Sequence, residues 1–198
     1  MNRTFATVAA VLILVGCGDG PMSGSSGDRL TRSEAMAVVG NVESSGTSAA
    51  APRGNVAEDQ VNSPLTVNQD VTIPCPSSGK IAAKLELSLD LDVDARSLAL
   101  DAAGRLAHDH CGFPHDGLTL TVTGDPDIQF ATHAALSGGQ LTASSNSSAR
   151  GAFNWTASDG RTGRCTLDIK SVTNFLARSR TIEGHVCDFE IDETVKLF

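Results

Sequence analysis

A period-two alternation of apolar and polar side chains constrains this chain more than any other feature. Leu85, Leu87, Leu89, Leu91 and Val93 are interleaved with Glu86, Ser88, Asp90, Asp92 and Asp94. Successive residues of a strand point to opposite sides, so this run predicts a strand with one dry face and one wet face. Leu98 and Leu100 extend the pattern, and Leu118-Thr119-Leu120-Thr121-Val122-Thr123 repeats it before the turn signal Gly124-Asp125-Pro126-Asp127. Ile128, Phe130 and Thr132 follow, then Leu141, then Phe153, Trp155 and Ala157, with Gly138-Gly139 and Ser158-Asp159-Gly160 as breaks. Thr166 to Val172 and Thr181 to Ile191 complete the series. Parallel pairing needs a crossover, usually a helix, and no helical stretch lies between these segments. The expected domain over 65–198 is therefore mainly β, an antiparallel meander forming a curved sheet or a barrel. Ser144, Ser145, Ser147 and Ser148 supply a small-polar face that tolerates water.

Aromatic residues make up 4% of the 198, so the core must be built chiefly from Leu, Val, Ile and Ala. Acidic residues outnumber basic ones by 23 to 15, for a formal charge of -8. A surface of that sign repels phosphates, which argues against a nucleic-acid partner.

Ahead of the alternating region, Thr31 and Glu34 have the spacing of a capping box, and Ala35, Val38, Val39 and Val42 recur at helical spacing. One short helix over 32–43 is expected. Residues 44–64 return to Ser, Ala, Gly and Pro and read as a linker, so 30–64 form a helix-and-linker segment.

The N-terminus places Arg3 before an apolar run from Phe5 to Val15. That is the anatomy of a secretory signal over 1–16, too short to span a bilayer as a mature helix. Leu14-Val15-Gly16-Cys17 resembles the lipobox of bacterial lipoproteins, in which the signal is cut before a Cys whose thiol takes the lipid. The resemblance implies a membrane anchor on Cys17, a flexible Gly/Ser tether over 17–29, and a place in the bacterial cell envelope. Several acyl chains on one terminus hold a membrane firmly, at about 0.8 kcal/mol per buried CH2. Gly18 rather than Asp follows the Cys, which by the family rule favours the outer membrane.

Four further cysteines, Cys75, Cys111, Cys165 and Cys187, are even in number in an exported chain, which points to two disulfides with three possible connectivities. Antiparallel partners are mirror positions about the centre of their hairpin. Cys75 and Cys111 are mirrored about Val93, and Cys165 and Cys187 about Leu176. Both centres fall where the alternation already places a reversal, so the expected pairs are Cys75–Cys111 and Cys165–Cys187. A thiolate metal site is disfavoured, because no CxxC spacing occurs.

Ile73-Pro74-Cys75-Pro76 with Gly79, then Gly163-Arg164-Cys165-Thr166-Leu167-Asp168 and Gly184-His185-Val186-Cys187, make residues 70–190 similar to a loose group of uncharacterised bacterial lipoproteins. These carry Cys-paired, Gly-punctuated β-meanders. The resemblance implies the fold and lends no established activity.

The densest chemical cluster is His108-Asp109-His110-Cys111-Gly112-Phe113-Pro114-His115-Asp116. On a regular strand His108 and His110 share a side, and His115 can complete a divalent-metal set, against a plainer reading as a polar strand end. Asp90, Asp92, Asp94 and Asp101 echo an EF-hand spacing, but Ala95 stands where that loop needs Gly. No GxSxG, HExxH, GxGxxG or complete P-loop occurs, and Ser78-Gly79-Lys80 is a chance fragment. No cofactor is implied. Phe130, Phe153 and Trp155 read as core before they read as a ligand cavity. The expectation is a non-enzymatic, membrane-anchored envelope lipoprotein of structural or binding type. The alternatives are a carrier of a small apolar ligand in a barrel cavity and a metal-dependent envelope enzyme using the His cluster.

Overall fold

The computed structural model describes residues 29–51, 65–92, 94–136 and 144–197. The signal segment and Cys17 lie outside the described residues, as does the stretch 52–64. One helix, α1 (Arg32–Ala50), precedes eight strands: β1 (Leu65–Pro74), β2 (Ser78–Asp92), β3 (Ser97–His115), β4 (Leu118–Leu136), β5 (Ser144–Ala157), β6 (Thr162–Asn174), β7 (Ser179–Val186) and β8 (Phe189–Lys196). The strands form a single antiparallel sheet in sequence order, β1 to β8. Each strand pairs with its chain neighbours, and β1 and β8 are left as edges, so among the described residues the sheet is open and no barrel closes.

The alternation fixes which side is dry. Ile81, Ala83, Leu85 and Leu87 of β2 are buried, as are Leu120, Val122, Ile128 and Phe130 of β4 and Cys165, Leu167 and Ile169 of β6. α1 lies on this inner face and buries Ala35, Val38, Val39, Val42, Ala49 and Ala50 against it, so helix and sheet share one core. Phe130, Phe153 and Trp155 all belong to that core. A sheet with one apolar face needs such a cover, because a bare face of that size would remain in water.

The helix begins with the expected capping box: Thr31 accepts from the Glu34 amide at 3.2 Å, and the Thr31 amide donates to Glu34 Oε2 at 2.7 Å. It runs on through Ser44-Ser45-Gly46-Thr47-Ser48 to Ala50, where the sequence predicted an end at 43 and a linker from 44. Tertiary packing overrides the weak local propensity here. A Cβ on Gly46 would lie 2.4 Å from Phe130 Cε2, so the missing side chain lets the helix sit directly on the ring. Arg180 of β7 forms an ion pair with buried Glu43, and Gln69 Nε2 donates to the Ala49 carbonyl at 3.0 Å. At the other end Arg32 reaches Glu193 of β8 at 3.1 Å.

One expected reversal is absent. Gly124-Asp125-Pro126-Asp127 does not turn the chain; it is a bulge inside β4, with a cis Asp125–Pro126 bond, where the register to β5 shifts between Gly124 and Ile128. The facing stretch of β3 shifts register between Leu106 and Cys111. Extra residues in both strands are accommodated together, so the two irregularities lie side by side.

Both disulfides form as expected, Cys75–Cys111 with Cα atoms 5.4 Å apart and Cys165–Cys187 at 4.6 Å. Their setting differs from simple mirror pairs. Lys80 faces Asp109 and Leu91 faces Leu98, which centres the hairpin between Asp94 and Ala95. Cys75 is therefore in the β1–β2 turn and bonds across to β3. That turn is held by Ser77 donating to the Gly112 carbonyl at 2.9 Å. It also needs Gly79 (φ +73°), whose Cβ would fall 2.1 Å from the His110 carbonyl oxygen. Asn174 faces Ser179, so the second hairpin centres between Leu176 and Ala177, and Cys187 sits in the β7–β8 turn with its amide on the Thr166 carbonyl at 2.8 Å.

Candidate functional site

The histidines proposed as a metal set are not brought together. A bulge breaks the strand parity on which that proposal rests. His110 takes a left-handed conformation (φ 49°), which turns it out of line with His108. His108 goes into the core opposite Ile81, whereas His110 stays exposed with its Nδ1 2.8 Å from Asp109 Oδ1. His115 lies near the helix start, with Nε2 3.0 Å from Ser33 Oγ and 3.3 Å from Asp116. No group of three or more His, Cys, Asp or Glu able to hold a metal occurs among the described residues. The acidic tip likewise serves the turn, with Asp92 Oδ1 accepting from the Ala95 amide at 2.8 Å.

His108 is unusual for another reason. Its ring is buried and neither nitrogen has a hydrogen-bond partner of good geometry. Burial holds its pKa down at about 4, against a weaker opposing pull from the Leu106 backbone. It acts as a neutral core group.

Glu34 is the second buried titratable group with a large shift. Arg161, from the β5–β6 turn, binds its two oxygens at 2.5 and 3.1 Å and also contacts Asp159 at 2.7 Å. The Arg161 hydrogen bonds hold the Glu34 carboxyl at about 2 despite the cost of burial. These contacts link the helix N-terminus to a turn of the sheet, and they are structural.

The feature with binding geometry lies on the opposite, outer face. Cross-strand register sets three rows of side chains there. The middle row is Glu86, Ala103, Ala131, Ser148, Lys170, from β2 to β6. One row beside it contains Ser88, Asp101, His133, Asn146, Val172, and the row on the other side Lys84, Arg105, Gln129, Arg150, Asp168. Three small residues thus form a floor between rows of longer chains. The result is an open trough of about 830 Å³, continuous with a second depression of about 480 Å³ that shares Ala103, Gly104, Ala131, Ser148 and Lys170. Four inter-strand steps of about 4.8 Å give it a length of about 19 Å.

Its walls are held by cross-strand pairs. His133 Nδ1 is 2.8 Å from Asp101 Oδ1, and Arg150 binds Asp168 Oδ2 through Nε at 3.1 Å and through its terminal nitrogen at 2.5 Å. The Arg150 hydrogen bonds hold the Asp168 carboxyl below the usual carboxylate range. Glu86 closes the floor row at the β2 end and Lys170 at the β6 end, beside Lys84 and the Arg150-bound Asp168 of the flanking row. Sequence reasoning missed this site. Each small residue is unremarkable in its own strand, and only the register shows that they are neighbours.

Comparison of the chain with protein-family models, with curated proteins and with solved structures finds no match. No helix among the described residues is long and apolar enough to cross a membrane.

Proposed function

We propose that the protein is a lipid-anchored lipoprotein of the bacterial cell envelope with a non-enzymatic binding role, exercised through the trough on the outer face of its sheet. The observation that carries the binding role is the small-residue floor of Ala103, Ala131 and Ser148 between rows of charged and amide side chains. The two disulfides support an oxidising compartment, and the Leu14-Val15-Gly16-Cys17 motif supports anchoring at Cys17. On the inner face the apolar side chains are engaged by α1, which weighs against a carrier of an apolar ligand.

The opposed charges of Glu86 and Lys170 favour an extended polar ligand with a cation at one end and an anion at the other. A peptide with free termini has that form, and about 19 Å accommodates five or six extended residues at about 3.3 Å each. The test uses the full chain purified from an envelope fraction. Mass spectrometry of its first mature peptide should find acylated Cys17, and Cys17→Ser should release the protein from the membrane fraction. Calorimetric titration with zwitterionic pentapeptides should show binding that Ala131→Trp abolishes by filling the floor. An unmodified Cys17 refutes the anchor, and wild-type protein that binds no such peptide at millimolar concentration refutes the ligand class.

A further inference from the structure

The large apolar side chains that remain in water are not scattered. Val67, Leu91, Leu136, Val172, Phe175, Leu176 and Val195 are the exposed ones among the described residues. All belong to the end of the sheet that carries the β2–β3 and β6–β7 turns, the start of β1 and the finish of β8. Phe175 and Leu176, at 53% and 63% exposure, stand at the tip of the β6–β7 turn. Leu91, Leu98 and Leu136 are direct cross-strand neighbours on the inner face. The opposite end, where residue 29 enters α1 beside Asp188 and Arg161, shows no such side chain among the described residues. Apolar surface gathered at one pole of a domain marks a contact site.

Among the described residues, the charges at this pole are divided. The β2–β3 corner carries Asp90, Asp92 and Asp94 against Arg96. The β6–β8 corner carries Arg178 and Lys196, while Arg180 is already engaged by Glu43. The acidic and basic corners are four strand spacings apart, about 19 Å, with Leu136 between them. A twofold partner places each corner over its opposite, which is the self-complementarity that an isologous contact requires. A lipid surface satisfies neither condition. It offers no match for the acidic corner when anionic, and the tether leaves from the far end of the domain.

From this we infer that the pole is a self-association surface, occupied by a second copy of the chain related by a twofold axis near Leu136. The apolar tips supply the buried area, and the Asp92 and Arg178 corners supply register. The pole meets the trough only at Val172, and Asp92, Phe175, Leu176 and Arg178 lie outside the trough, so changes at those four test the pole alone.

The test measures the protein mass of the full chain in detergent micelles by light scattering over a concentration series. A dimer is expected in the micromolar range, weakening as salt rises. Asp92→Arg or Arg178→Glu alone should weaken association about tenfold, and the double exchange should restore it to within about threefold. Phe175→Ser with Leu176→Ser should give monomer whose unfolding temperature matches that of wild-type protein diluted below its association range, since both side chains are exposed. Monomeric wild-type protein up to about 100 μM, four decades below the molar reference state or roughly 5.5 kcal/mol, overturns the inference. A double exchange that stays as weak as the single changes overturns the assignment of the corners.

Discussion

Two glycines of one helix provide a paired test of how α1 meets the sheet. Gly→Ala in a helix interior gains about 1 kcal/mol from propensity alone. At exposed Gly40 a new Cβ meets nothing within 4 Å, so Gly40→Ala should stabilise by about that amount. At Gly46 the same methyl would sit 2.4, 2.6 and 2.6 Å from Phe130 Cε2, Cδ2 and Cζ. Phe130 is itself buried in the core, so its ring cannot swing aside without displacing neighbours. Overpacking of this kind costs about 1–3 kcal/mol, which meets or exceeds the propensity gain. Gly46→Ala should therefore fall about 1–3 kcal/mol below Gly40→Ala, and the difference isolates the helix–sheet contact because propensity cancels. Urea unfolding midpoints at constant slope measure it. Phe130→Leu in the Gly46→Ala background should recover part of the loss, giving a coupling energy of about 0.5 kcal/mol or more. If Gly46→Ala stabilises as much as Gly40→Ala, the helix does not rest on Phe130 and the packing described above is wrong.

Other expectations concern charge and covalent links. The folded pKa of His108 is depressed, so its neutral form contributes stability that is complete above about 6.5 and is lost as pH falls toward about 4. That loss is about 3 kcal/mol, and His108→Phe should flatten the stability profile in that window; an unchanged slope refutes the burial of a neutral ring. The Glu34 carboxylate is likewise depressed, so its contribution is present above about 4.5 and disappears as pH falls toward about 2. Glu34→Gln should cost about 3 kcal/mol at pH 7 and become nearly neutral at pH 2, read from thermal unfolding at both pH values. Loss of either disulfide, as Cys75→Ala with Cys111→Ala or Cys165→Ala with Cys187→Ala, should cost about 3–4 kcal/mol in the chain-entropy model. A cost near zero for either pair by urea unfolding would show that the bridge closes no loop the unfolded chain would otherwise open.

The alternation of Leu85 to Leu91 with Glu86 to Asp92 revealed both the strand and its dry side, because side-chain direction in a strand depends only on parity. Parity is also what failed at His108 and His110. A bulge and the left-handed conformation of His110 itself are invisible to spacing, and they separate two side chains that a regular strand would align. The disulfides survived such errors because a Cys near its mirror position can still be reached. Cys75 needed only a turn around Gly79 to approach Cys111. The end of α1 was hidden for the reverse reason. Ser44-Ser45-Gly46 is weak helix on its own, and its helical state depends on Phe130, Arg180 and Gln69 from distant strands.

By itself, then, the sequence determined a meander, its wet and dry faces, the helix start and the cysteine pairs, all consequences of local periodicity, capping and chain reversal. Only the tertiary structure decided that the sheet stays open under a helix, that Ala103, Ala131 and Ser148 line up as one floor, and that the exposed apolar tips share one pole. Those are facts of register across strands. Register is set by the summed fit of many distant side chains, so no single stretch of sequence contains it.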